Sequence, residues 1–150
     1  MKSVVYSYVH MGGKIGVLVE VACESDFVAR GEEFQSLCRD ICLQICAASP
    51  MAVSWHDLNP SIVAKKRALY LSQAADTGRP PAACEKIAEG KLKAWYSEVC
   101  LLSQQFVKDS DKTISQLIAD FGRSVGEQVF VRRFVRYAAG KGMAGSGASD

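Results

Sequence analysis

The sequence is poor in the groups that catalysis and metal binding near neutral pH use most. It has only two histidines, His10 and His56, so little acid-base chemistry is available around pH 7. No Cys-x-x-Cys pair occurs among its six cysteines. Zinc ligands usually come as such close pairs with a second pair elsewhere, so no metal site is expected and no cofactor is implied. No apolar run approaches the roughly 20 residues of a membrane span. The net charge of +2 is too small to point to nucleic acid or to a membrane surface. Gly12, Gly13 and Gly16 could suggest a phosphate cradle, but the Gly-Lys-Ser/Thr ending and a following helix are missing. No nucleophile, base and orienting group cluster along the chain, so an enzyme of covalent chemistry is not expected. The start, Met1-Lys2-Ser3-Val4-Val5-Tyr6, enters a strand-like pattern directly, unlike a signal or transit peptide. A cytosol-like compartment is expected: a bacterial cytoplasm, or an organelle interior if a presequence has been removed.

What is present suits one domain. The chain has 150 residues, 49% hydrophobic and 23% charged, enough to bury about 70% of its unfolded surface without a metal or disulfide staple. Cys38, Cys42 and Cys46 recur every four residues among Leu37, Ile41 and Ile45. They read as small apolar members of one helical stripe, buried and reduced.

Period two runs over residues 4–10 and again from Ile15 to Val21, with Gly12-Gly13 between them, which predicts an antiparallel hairpin. Residues 32–48 carry Phe34, Leu37, Cys38, Ile41, Cys42, Ile45 and Cys46 at helical spacing. Asn59-Pro60 opens a second helix reaching about Asp76, and the break Thr77-Gly78-Arg79-Pro80-Pro81 leads to a third ending near Val99. These two make a helical hairpin, about residues 60–99. Its sides are thinly apolar, so it projects from the core or pairs with another copy. Residues 108–112 read as a polar loop, with Ser110 or Asp111 capping a helix that carries Ile114, Leu117, Ile118 and Phe121 and is weakened at its end by Gly122 and Gly126. Residues 128–137 alternate again, Val129, Val131, Arg133 and Val135 against Phe130, Arg132, Phe134 and Arg136. They complete a three-stranded antiparallel sheet. The fold class is therefore α+β: that sheet packed with helices, plus the projecting hairpin. The Gly/Ser/Ala-rich residues 139–150 read as a flexible tail. Arg132, Arg133 and Arg136 beside aromatic residues could form a platform for single-stranded RNA, but a solvated strand face explains them more simply.

The most informative stretch joins the hairpin to the first long helix: Cys23-Glu24-Ser25-Asp26-Phe27-Val28-Ala29-Arg30. Asp26 reads as a helix N-cap, which puts Phe27 in the first turn. Two positions are open for that ring. It folds back as a core anchor, as most Phe side chains do, or it projects as a wedge into a partner.

Residues 8–21, built on Gly12-Gly13-Lys14-Ile15-Gly16-Val17, and residues 23–34 resemble the core domain of the elongation factor Ts family. Further matches are Glu85-Lys86-Ile87-Ala88-Glu89-Gly90-Lys91-Leu92, residues 98–109, and the final strand from Gly126-Glu127 to Tyr137. The resemblance covers about residues 4–138, and residues 1–138 are assigned as one core domain. It implies a guanine-nucleotide exchange factor for the translational GTPase elongation factor Tu, with no covalent chemistry. It further implies that Asp26, Phe27, Val28 and Arg30 form the partner-binding segment, with the Asp-Phe pair entering near the GTPase's magnesium and phosphate site. Ser25 stands for the usual Thr, Ala22 for a polar residue, Gly31 for the usual Asn, and Gln104-Gln105-Phe106 for Gln-Pro-Phe. Ser25 keeps the hydroxyl, whereas the Ala22 and Gly31 exchanges are expected to loosen the helix start. The family's small helical N-terminal domain and a second core copy are not found, so the resemblance is to the short, single-core form. That form is expected to pair as a homodimer without direct nucleic-acid contact. The alternative is a module that binds the GTPase or a ribosome but exchanges poorly.

Overall fold

The computed structural model describes residues 1–141. Strands β1 (Lys2–Val9) and β2 (Ile15–Cys23) form the expected hairpin, and β5 (Phe130–Ala138) pairs with the other edge of β2, giving the antiparallel order β1-β2-β5. The turn between β1 and β2 needs two successive left-handed residues, and Gly12 and Gly13 supply them at φ 89° and 71°. The remaining elements are α1 (Asp26–Ala29), α2 (Glu32–Ala48), α3 (Pro60–Ala75), α4 (Pro81–Val99), a two-stranded ribbon of β3 (Gln105–Phe106) and β4 (Asp109–Thr113), and α5 (Ile114–Val125). The architecture is the expected α+β fold.

The inner face of β2, with Val17, Val19, Val21 and Cys23, meets the α2 stripe of Phe34, Leu37, Cys38, Ile41, Cys42 and Ile45. Val4, Tyr6 and Tyr8 of β1 and Phe134 of β5 extend this layer, and Ile114 and Ile118 of α5 close its end. All six cysteines are free and buried. Burial pushes the Cys38 and Cys42 thiols up to about 12 and Cys100 to about 11. Gln44 is a buried polar residue on this apolar stripe. Its amide donates to Gln104 Oε1 (3.2 Å) and to the Gln105 carbonyl (3.1 Å), and its Oε1 accepts from the Val107 N–H (2.8 Å). With every partner supplied, it fixes the segment returning from α4 onto α2.

Outside the corner between β2 and α2, the sequence-based reading needs three corrections. Residues 109–113 are a strand, not a loop, and Thr113 caps α5 in place of Ser110 or Asp111: its hydroxyl accepts from the Gln116 N–H (3.1 Å) while Gln116 returns to the Thr113 N–H (2.8 Å). This is a capping box, which satisfies two otherwise orphaned donors at once. Second, the alternation in β5 is broken. Glu20 pairs with Arg133 but Val21 pairs with Val131, leaving Arg132 as a bulge. Val131 and Phe134 therefore both face the core, while Arg133 and Val135 lie on the outer side opposite Glu20 and Leu18. Third, the hairpin is thinly apolar on α3, which buries Ala74, but not on α4, which buries Cys84, Ala88, Leu92 and Trp95. Leu92 and Trp95 pack with Ala52, Leu58 and Cys100 into a second cluster that includes Ile62 and Tyr70. Of the tail assigned to residues 139–150, the stretch beyond residue 141 lies outside the described residues.

Candidate functional site

The site is built where β2 stops. Cys23, the last residue of β2, is buried and donates its thiol to the Ser25 carbonyl (3.3 Å). Ser25 has extended backbone angles, φ −126° and ψ 152°, and its hydroxyl accepts from the Val28 N–H at 3.2 Å. Ser25 is thus the N-cap of α1, and Asp26 is the first helical residue rather than the cap. The cap falls to Ser25 because its hydroxyl both accepts and donates. It takes the Val28 N–H and gives its own proton to Glu127 Oε2 at 2.5 Å. Asp26 turns outward instead, within 3.8 Å of Lys2 Nζ.

The helix lasts one turn. Arg30 closes it, its N–H reaching the Asp26 carbonyl at 3.0 Å, and the Gly31 N–H reaches the Val28 carbonyl at 3.0 Å. Gln35 Nε2 covers the Ala29 carbonyl at 3.1 Å. Gly31 then starts α2 without a side-chain cap, and a Cβ there would stand 3.3 Å from the Val28 carbonyl oxygen. Ala29 is buried and Val28 packs against the main core. Phe27, between these inward residues and Asp26, is 84% exposed. Of the two positions open to the ring in the sequence, the structure takes the projecting one.

Asp26, Phe27 and Arg30 are brought together on one exposed corner, while Val28 serves mainly as its anchor. Beside Phe27 lies an open groove of about 630 Å³, floored by Phe34, Phe121 and Val125 and rimmed by Arg30 and Glu33. An apolar ring standing free beside an apolar groove offers both a knob and a hole. The corner can serve recognition; among the described residues no group of three or more His, Cys, Asp or Glu side chains is placed to hold a metal ion. A family model described as "Elongation factor TS" matches residues 1–141.

The chain belongs to the elongation factor Ts family. It is 49% identical over 138 residues to the Elongation factor Ts of Geobacter metallireducens, covering 92% of this chain and 64% of that protein. It is 47% identical over 142 residues to that of Desulforamulus reducens (95% and 65%) and 49% identical over 136 residues to that of Koribacter versatilis (91% and 62%). The chain thus spans slightly less than two thirds of the length of these elongation factor Ts relatives.

One residue bonded to the corner escaped the sequence reading. Glu127, in the loop after α5, accepts from the Glu24 N–H (2.9 Å), the Ser25 N–H (3.1 Å) and the Ser25 hydroxyl (2.5 Å). These bonds, led by the hydroxyl, hold its carboxyl below the usual carboxylate range against the opposing effect of burial. The available signal was an acid directly after Gly126 at a helix end. Nothing local tied it to a serine 102 residues earlier.

Proposed function

We propose that this chain promotes release of guanine nucleotide from elongation factor Tu, inserting the Asp26–Phe27 corner near the GTPase's magnesium and phosphate site. The observation that carries this reading is the exposure of Phe27 on a corner fixed on both sides. An unsatisfied ring at that place gains from burial against a partner, at about 25 cal/mol per Å² of apolar surface removed from water. Asp26, free of capping duty, is available to a polar group of the partner. The mechanism is thermodynamic. A protein that binds the nucleotide-free GTPase more tightly than the nucleotide-bound form weakens nucleotide binding by the same factor. No covalent step is involved.

The arginines of β5 have partners within the chain. Arg133 Nε donates to Glu20 Oε1 at 2.8 Å, Arg132 Nε lies 3.7 Å from Glu20 Oε2, and Arg136 Nη2 donates to the Cys46 carbonyl at 3.0 Å. These contacts engage the arginines within the chain, with Arg136 Nε left buried and unpartnered among the described residues. The outer face of the sheet exposes Val5, Val9, Leu18 and Tyr137, which supports pairing of two copies through that face. Sedimentation of the native chain against Leu18→Lys tests it: a dimer reduced to monomer is expected, and a monomeric native chain overturns it.

The deciding experiment is release of labelled GDP from elongation factor Tu with and without the chain, beside Phe27→Ala. Acceleration that disappears in the variant is expected. Binding without acceleration would identify a docking module, the alternative reading.

A further inference from the structure

We propose that Glu127 is a positioning residue for the Phe27 corner, acting through Ser25; this rests on the exchange reading above. A one-turn helix does not hold itself together, because nucleation fixes several residues for few hydrogen bonds. Something outside α1 must orient it. The Glu127 carboxylate collects the two backbone N–H groups left unpaired where β2 ends and the hydroxyl that caps α1. Glu24 answers by accepting from the Gln128 N–H. Two acidic residues far apart in the chain thus each hold backbone N–H groups of the other's segment, Glu127 those of Glu24 and Ser25 and Glu24 that of Gln128, and the corner is closed as a ring of bonds.

The end of α5 is shaped for this contact. Gly126, at φ 71°, turns the chain in the left-handed region, and the Glu127 N–H returns to the Gly122 carbonyl at 3.0 Å. That is a Schellman closure. A Cβ on Gly122 would lie 2.8 Å from the Glu127 carbonyl oxygen, so only glycine lets Glu127 come this close. The two glycines that seem to weaken α5 instead aim its exit at the corner. The Lys2–Asp26 pair is exposed on both sides and offers little restraint. Glu127 is therefore the side chain from a distant element that sets where Phe27 points.

The test combines saturating GDP release, affinity for nucleotide-free elongation factor Tu, and amide hydrogen exchange on Glu127→Ala, Glu127→Gln, Phe27→Ala and the Glu127→Ala/Phe27→Ala double variant. Glu127→Ala is expected to lower the saturating rate on the order of tenfold, the scale of a lost cap plus bonds to a charged group. Glu127→Gln, which keeps an acceptor, should stay within about threefold, since neutral bonds are roughly half as strong. In the Phe27→Ala background the Glu127 effect should vanish, as for residues acting as one unit. Exchange at Ser25 and Val28 should quicken in Glu127→Ala while Val19 and Val21 hold. A full Glu127 effect without Phe27, equal loosening of the whole sheet, or an unchanged corner would each overturn the proposal. Should the native chain fail to accelerate release, the exchange reading falls, and positioning is decided by the amides alone: local quickening supports it and its absence overturns it.

Discussion

Phe27 and Phe34 are the same residue type seven positions apart, a spacing that on one continuous helix would bring both rings close to one face. Phe34 is fully buried, its ring 6.1 Å from that of Phe121. Phe27 is almost fully exposed. The difference arises between them, at Arg30 and Gly31, where α1 ends and the extended backbone of Gly31 (φ −70°, ψ 148°) interrupts the helix before α2. One ring is a core member, and its burial contributes to stability. The other is kept out of the core by the geometry around Ser25, so its apolar surface stays exposed. Hydrophobicity alone assigns neither role; the local helix break does.

The comparison is broken most strongly by truncating each ring. Phe34→Ala should destabilise the chain by about 3–5 kcal/mol, the range for a buried aromatic. Phe27→Ala should change stability by less than about 0.5 kcal/mol, as at exposed sites, while removing stimulated release. Denaturant unfolding of both variants checks this; equal destabilisation would mean that Phe27 is a core residue in solution. Next in size is Gly122→Ala. Its Cβ meets a backbone oxygen that cannot rotate away, and overpacking of this kind costs about 1–3 kcal/mol. Release should slow along with it, since Glu127 must retreat. Ser25→Ala removes only the cap, about 1 kcal/mol; Ser25→Thr, which keeps the hydroxyl, should restore it.

Acid sharpens the contrast further. The Glu127 carboxyl sits below its ordinary value in the folded chain, so its contribution is complete above the usual glutamate range and is lost as pH falls through the folded value. The neighbouring Cys23 thiol is raised, chiefly by burial and further by the Glu127, Asp26 and Glu24 carboxylates, and Lys2 lies within 3.8 Å of Asp26. Glu20 and Asp120 are lowered in the same sense by Arg133 and Lys112, so overall stability also declines in acid. Faster exchange at the Glu24 and Ser25 amides before the Val19 amide would isolate the corner. The smallest effect is expected at Cys38 and Cys42, whose raised thiols should not be alkylated near neutral pH in the folded chain. Rapid labelling there would show that the core opens.

Much of the fold was legible because its signals are local. Alternation marked β1 and β2, the Phe34 to Cys46 stripe marked α2, and Asn59-Pro60 marked the start of α3. Where a polar run carried no period, as in residues 109–113, a strand passed for a loop. Phe27 and Asp26 stood out as a pair, but the exposure of one and the outward turn of the other depend on what Ser25 does.

By itself the sequence determined the class of fold, the buried and reduced state of the cysteines and the place of the corner though not its exposure, because side-chain periodicity and turn chemistry act over a few residues. Only the tertiary structure decided that Ser25 caps α1, that Arg132 bulges and turns Phe134 inward, and that Glu127 reaches the corner. The cap bond itself is local, but the Glu127 bond that holds its hydroxyl and the pairing of β2 with β5 join residues about a hundred positions apart, and such bonds exist only once the sheet and α5 have brought their partners together.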